Sequence, residues 1–338
     1  MSYHDALNYL VQKTPVIELY DQLGGRVVVC PEWNGRVFTS TNGGLGGESF
    51  GSINVRAIDA ERYEDFGGED QWTLSPLIYS YTIESVKENR TVLQRMLQMA
   101  DANGKPGEFQ LTRSISLLNR HQSGEIFGDA VAEALQQGDV SVVGFCTENI
   151  IRTQEPACVA SRLRGMFNAS PHTAVIVPAP PMSFAPEPFT VNVDYLGGAP
   201  HGRLRYLSKT LLIRADGQGR CQVTMPYSTS PPIFGAIERR SGTLTLWTFD
   251  LPNDDPEERD VLRVYNPGRS EGGELDWARY YEINCFSAAR KLQPEGLLTY
   301  WQCTLHLNAD NAILDNLTRQ IFGVSLGDVS RKCFAHFV

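Results

Sequence analysis

The sequence has no long run of lysine and arginine. Its 30 basic residues face 39 acidic ones, for a net charge of −9. An acidic chain without a basic stripe is a poor match for phosphate backbones or anionic lipid surfaces, so neither nucleic acid nor membrane is an expected partner. No apolar run approaches the roughly 18 residues that a membrane helix needs. The opening stretch MSYHDALNYLVQKTP lacks a basic start before an apolar core, so no secretory leader is expected. CxxC pairs are also missing. The seven cysteines (Cys30, Cys146, Cys158, Cys221, Cys285, Cys303, Cys333) are scattered. That spacing argues against a clustered zinc site and predicts reduced thiols, several buried in strands, in a cytosolic protein. GxGxxG and GxxxxGK[ST] patterns, a fixed-period repeat and βαβ alternation are all absent. Nucleotide-cradling loops, solenoids and doubly wound α/β folds are therefore disfavoured, and no cofactor or metal is expected.

What remains is strand-rich. Hydrophobic residues make up 42% of the 338, enough for a large core and too many for a disordered chain. A helix is expected over 3–13, with Ala6, Leu7, Leu10 and Val11 on one side, ended by Pro15. Short β-branched runs follow at 16–20, 25–30 and 36–40. A glycine-rich loop, 41–54, then reads as a flexible loop or the rim of a cleft. Longer strands are predicted at 77–86, 91–100, 108–119 and 140–153, with a short helix at 129–136. Asp216-Gly217 and Ser241-Gly242 each suggest a hairpin turn. A capped helix is expected at 311–322, with Ile313, Leu314, Leu317 and Ile321 at helical spacing. The domain plan is an N-terminal helix (1–15), one all-β domain (16–327) of large antiparallel sheets, and a tail (328–338).

Two stretches bear polar groups in patterns that suit a neutral, hydroxyl-rich ligand. In FGGEDQW, Glu69 and Asp70 stand beside Trp72. Carboxylates accept from sugar hydroxyls while an indole stacks on C–H faces. In RYYEINCFSAARKLQPEGLLTYWQCTLHL, residues two apart share a strand face. Glu282 and Asn284 would sit side by side, next to a strand offering Gln302 and His306. Thr299, Trp301, Cys303 and Leu305 would face the other way. Cys285, opposite in phase to Asn284, reads as core. A second arrangement would gather Glu69, Asp70, Asp194, Glu282 and His306 around a hard cation.

Taken in order, FGGEDQW, RGMF, VNVDYLGGAPHGRL, LLIRADGQGRCQV, GTLTLWTFDLP and the Tyr280–Leu307 stretch resemble a bacterial family similar to the galactose mutarotase (aldose 1-epimerase) superfamily. The resemblance spans roughly residues 25–327. It implies a β-supersandwich with a sugar-sized cleft on a concave sheet. It also implies acid–base chemistry that opens and closes a sugar ring, one group taking the anomeric proton and another protonating the ring oxygen. By this resemblance Glu282 is the base, while Asn284 fills a position where mutarotases carry a carboxylate. Val193 stands where they carry histidine, which leaves Asp194 or His201 as acid. Arg36, Glu69, Asp70 and Asn192 would orient hydroxyls and Trp72 would stack. The same resemblance admits a protein that binds a sugar without turning it over.

Overall fold

Ser2 accepts a backbone hydrogen bond from Asp5 and so caps helix α1 (Tyr3–Val11), which buries Tyr3, Ala6 and Leu10. Val11, expected on the buried side, is half exposed. The computed structural model describes residues 1–74, 78–178, 203–207, 209–226, 231–251, 260–267 and 279–334. Strands β1 (Ile17–Tyr20), β2 (Arg26–Cys30) and β3 (Arg36–Thr41) follow the first helix. A short helix α2 (Val55–Asp59) precedes β4 (Gly68–Trp72). Next comes a meander of β5 (Thr82–Lys87), β6 (Arg90–Ala100) and β7 (Pro106–Leu118). Helices α3 (Arg120–Phe127) and α4 (Asp129–Gln136) separate it from β8 (Ser141–Thr153). The first of these was not anticipated, although Asn119 and Gln122 form a capping box at its start.

Short β9 (Ala157–Val159) leads to β10 (Arg162–Asn168) and β11 (Thr173–Pro178). Then come β12 (Leu204–Leu207), β13 (Thr210–Arg214), β14 (Cys221–Pro226) and β15 (Ile233–Glu238). Strands β16 (Thr243–Phe249), β17 (Asp260–Asn266) and β18 (Tyr280–Phe286) precede short β19 (Arg290–Leu292) and long β20 (Leu297–Asn308). The predicted helix α5 (Asn311–Phe322) is present, capped by Asp310, and α6 (Leu326–Val329) follows it. The stretch read as a tail is helical through 334 and buries Val329 and Cys333.

The long strands form two large antiparallel sheets. One has eight strands in the order β1-β2-β3-β4-β10-β18-β17-β14. The other has ten, in the order β12-β13-β11-β15-β16-β20-β8-β7-β6-β5. Alternation then sorts the side chains into layers. Trp72, Leu163, Phe167, Tyr281, Ile283 and Cys285 from the smaller sheet meet Phe145, Phe234, Trp247 and Tyr300 from the larger one in the main core. The far face of the larger sheet, with Cys303, Leu305 and Leu307, packs on the helices. So β20 alternates as its sequence predicts.

Two expected pairings differ. Ser241-Gly242 does turn a hairpin, with Glu238 opposite Thr243 and Gly242 at φ +67°. Asp216-Gly217 does not. It carries the chain from β13 in the larger sheet to β14 in the smaller one. Asp216 accepts from Arg203, the Gln218 N–H and Arg214 at this crossing, and those bonds replace the ladder a hairpin would have made. Likewise β18 and β20, close in sequence, lie in different sheets.

The thiols differ as well. Cys146 and Cys303 are direct cross-strand neighbours on β8 and β20 and are joined as a disulfide. They are 157 residues apart, beyond what sequence spacing reveals. Cys30, Cys158, Cys221, Cys285 and Cys333 are free.

Candidate functional site

The outer face of the smaller sheet carries the polar half of each alternation. On β10 it presents Arg162 and Arg164, because Leu163 and Gly165 take the opposite phase. Arg164 lies between Gln71 of β4 and Asn284 of β18. Asn284 in turn faces Arg263 of β17, and Glu282 faces Tyr265. All of these side chains except Asn284, which is buried beneath them, line an open cleft of about 340 Å³ with Arg36, Gln222 and Tyr63 at its walls. That is the size range of a small-molecule site.

Glu282 forms an ion pair with Arg164, whose side chain also donates to the Glu64 carbonyl at 2.8 Å. The other Glu282 oxygen accepts from the Asn284 amide at 3.4 Å. Arg162 donates twice to Asn284 Oδ1, at 3.0 and 2.6 Å. Arg36 spends its N–H groups on the Gly67 and Tyr63 carbonyls, at 2.6 and 3.3 Å. The cleft therefore has five lining arginines against two carboxylates, Glu64 and Glu282. Burial, followed by repulsion from Arg164, pushes Arg162 down to about 10 and Arg36 down to about 9. Both remain charged at neutral pH. Burial works against the Arg164 charge too, but there the Glu282 charge and hydrogen bond outweigh it and raise its pKa.

Of the residues picked from sequence, Glu282, Asn284 and Arg36 come together here. Others do not. Trp72 points into the main core and its indole N–H donates to Ser161 at 2.7 Å, so no face is left for a sugar to stack on. Asp70 lies between the sheets, held by Arg113 and by the Thr147 hydroxyl at 2.8 Å. Glu69 is equally buried, bonded to Ser40 at 3.0 Å and His306 at 2.7 Å. His306 also meets the Thr245 hydroxyl at 2.8 Å and stacks on Phe50. Gln302 shares that interior layer, 2% exposed. The groove expected beside Glu282 from Gln302 and His306 thus does not form, because β20 belongs to the other sheet. The five-residue cation arrangement fails for its described members, since Asp70, the Glu69–His306 pair and Glu282 occupy separate places. Among the described residues, no three His, Cys, Asp or Glu side chains gather as a metal site. Asn192, Asp194 and His201 lie outside the described residues. The 41–54 loop does not line this cleft. Its Glu48, Ser49 and Phe50 border a cavity of about 50 Å³ near His306.

Sequence reasoning missed Gln71, Arg162, Arg164 and Arg263. The signal was present in RLRG and in VLRV, where alternation puts charges opposite core residues. Lone strand charges read as a solvated face until the neighbouring strands are known.

No curated protein matches the chain in sequence. Solved structures do match its fold. A candidate aldose 1-epimerase from Escherichia coli K12 superposes with a TM-score of 0.55 at 8% identity, over 88% of this chain and 99% of that one. The Slr1438 protein from Synechocystis sp. PCC 6803 gives 0.55 at 14% identity, over 88% and 96%. A galactose mutarotase-like protein from Lactobacillus casei ATCC 334 gives 0.53 at 8%, over 88% and 100%. At such identities the likeness establishes the fold, a galactose-mutarotase-like β-supersandwich, and fold alone does not carry chemistry. A family model covers nearly the whole chain, at residues 1–83 and 77–333, and the protein belongs to that family, the family of unknown function DUF6786.

Proposed function

We propose that the cleft on the smaller sheet holds a sugar, and that the protein acts on it as an isomerase of the aldose 1-epimerase type. The observation that supports this reading most is Glu282, a carboxylate fixed by Arg164 and Asn284 in a cleft lined by hydrogen-bonding side chains. In this reading Glu282 accepts the anomeric proton and Arg164 steadies the carboxylate. Gln71, Gln222 and Arg162 bond ring hydroxyls. The ring oxygen would be protonated by Asp194 or His201.

The test is exchange between α and β anomers, followed by NMR across a panel of hexoses and their acidic derivatives. Wild-type protein is expected to accelerate exchange of at least one sugar. Glu282→Gln is expected to lose about 10²-fold or more of that acceleration, the usual effect of removing a general base. A second reading, sugar binding without turnover, draws on the engagement of both Glu282 oxygens and on the amide at Asn284. Saturable binding with no acceleration for any sugar would select it over the first.

A further inference from the structure

The Arg263 side chain makes no hydrogen bond or ion pair among the described residues. Its guanidinium lies 5.1 Å from the centroid of the Phe286 ring, and that of Arg162 lies 5.6 Å from the same ring. Arg162 spends two of its N–H groups on a neutral amide oxygen. Arg220 lines the other end of the cleft, since the row of Gln222, Tyr265 and Glu282 separates it from Arg263. Of the five lining arginines, Arg164 alone has a carboxylate partner among the described residues. The Arg263 charge repels that of Arg162 across the strands, and burial adds to the cost of the Arg162 charge. A sheet face that only needed solubility would interleave both signs. Here uncompensated guanidinium groups converge on a cavity, and a planar fork of donors suits an oxyanion better than a hydroxyl.

We propose that the ligand of this cleft is an anionic sugar, its carboxylate or phosphate seated between Arg162 and Arg263 while the ring lies toward Glu282. The inference rests on the sugar reading above and adds the charge and the direction of binding. It also assigns Arg263 a function that packing does not require. The acidic net charge of the chain opposes entry of an anion, so the local arginine surplus has to overcome a repulsive background.

The deciding experiment is a calorimetric and thermal-shift comparison of four probes on the full chain. They are a neutral hexose, the matching uronate, the matching 6-phosphate and inorganic phosphate, in the gluco and galacto series. The uronate or the sugar phosphate is expected to bind about tenfold or more tightly than the neutral hexose, and which of them wins identifies the oxyanion. The advantage should shrink in about 0.5 M salt, where screening reaches down to a few ångströms. Arg263→Gln should remove most of it and Arg263→Lys should keep part, with circular dichroism confirming that both fold. Equal affinity for neutral and anionic forms of the same sugar would overturn this inference and leave the sugar cleft standing. Inorganic phosphate binding as tightly as the sugar phosphates, with no response to uronate or hexose, would overturn the sugar reading and this inference together. So would the absence of any carbohydrate binding. The ligand panel on wild-type protein decides the matter even if neither variant folds.

Discussion

Two arginine–carboxylate pairs sit on opposite faces of the eight-stranded sheet. Arg113 and Asp70 meet between the sheets with both side chains fully buried. The remaining Arg113 donors go to the Gly35 carbonyl and the Asn149 side chain, and Thr147 completes Asp70. Nothing there is left over. Arg164 and Glu282 meet on the outer face, with side chains 14% and 6% exposed, in the company of Arg162 and Arg263. There the cations outnumber their partners. The same two residue types thus serve two ends. A closed set of mutual bonds fixes how the sheets face each other. An open set leaves surplus charge on the outer face, which in the proposed reading meets the ligand.

The interior pair should give the largest response when broken. Asp70→Asn leaves the Arg113 charge buried and uncompensated, at a cost of about 3–5 kcal/mol in denaturant unfolding. Ligand affinity of the folded fraction should stay within about twofold of wild type, since additivity holds for separated sites. A stable Asp70→Asn protein that had lost its ligand would turn the comparison upside down.

Asp216 offers a smaller effect with a pH signature. Burial alone would raise its carboxyl. The Arg203 hydrogen bond, the Gln218 N–H and the charges of Arg203 and Arg214 outweigh that and hold it below the usual carboxylate range. A depressed native pKa stabilises above the unfolded value near 4, and the gain is lost as pH falls through the native one. Asp216→Asn should therefore cost about 2 kcal/mol at neutral pH and flatten the acid limb of the stability profile. An acid limb identical to that of wild type would remove the crossing at Asp216 from the set of closed polar contacts.

The smallest change is expected from Trp72→Phe. It removes the donor to Ser161 and some core volume, for about 1–2 kcal/mol, with no change in ligand response. A lost ligand response here would move the sugar to the other side of the sheet.

Local order was readable in the sequence wherever one segment contains its own evidence. The alternation of β20 predicted which of its residues share a face, and a cap at Asp310 or Asn311 with the apolar spacing predicted α5. The same alternation put Glu282 and Asn284 side by side, as they stand in the structure. What was not readable depends on partners supplied from elsewhere. Glu69 and Asp70 resemble sugar ligands until Ser40, His306, Arg113 and Thr147 arrive from other strands to consume them. The turn at Asp216-Gly217 resembles a hairpin until Arg203, outside the two strands it joins, takes hold of the carboxylate. Arg162 and Arg263 look like ordinary solvated charges until β10, β18 and β17 are set side by side.

The position of β20 has a consequence for synthesis. It lies in the interior of the ten-stranded sheet, between β16 and β8. Its partner across the disulfide was made 157 residues earlier. On the ribosome, the β5–β8 meander can zip up early, but the β8 edge must wait open until β20 emerges. An open strand edge is a template for wrong pairing, and a pairing of such long reach closes slowly. A nascent chain stalled before residue 297 would therefore hold two separate half-sheets with raw inner edges, and chaperone demand should peak at that length and fall once the final strands are released.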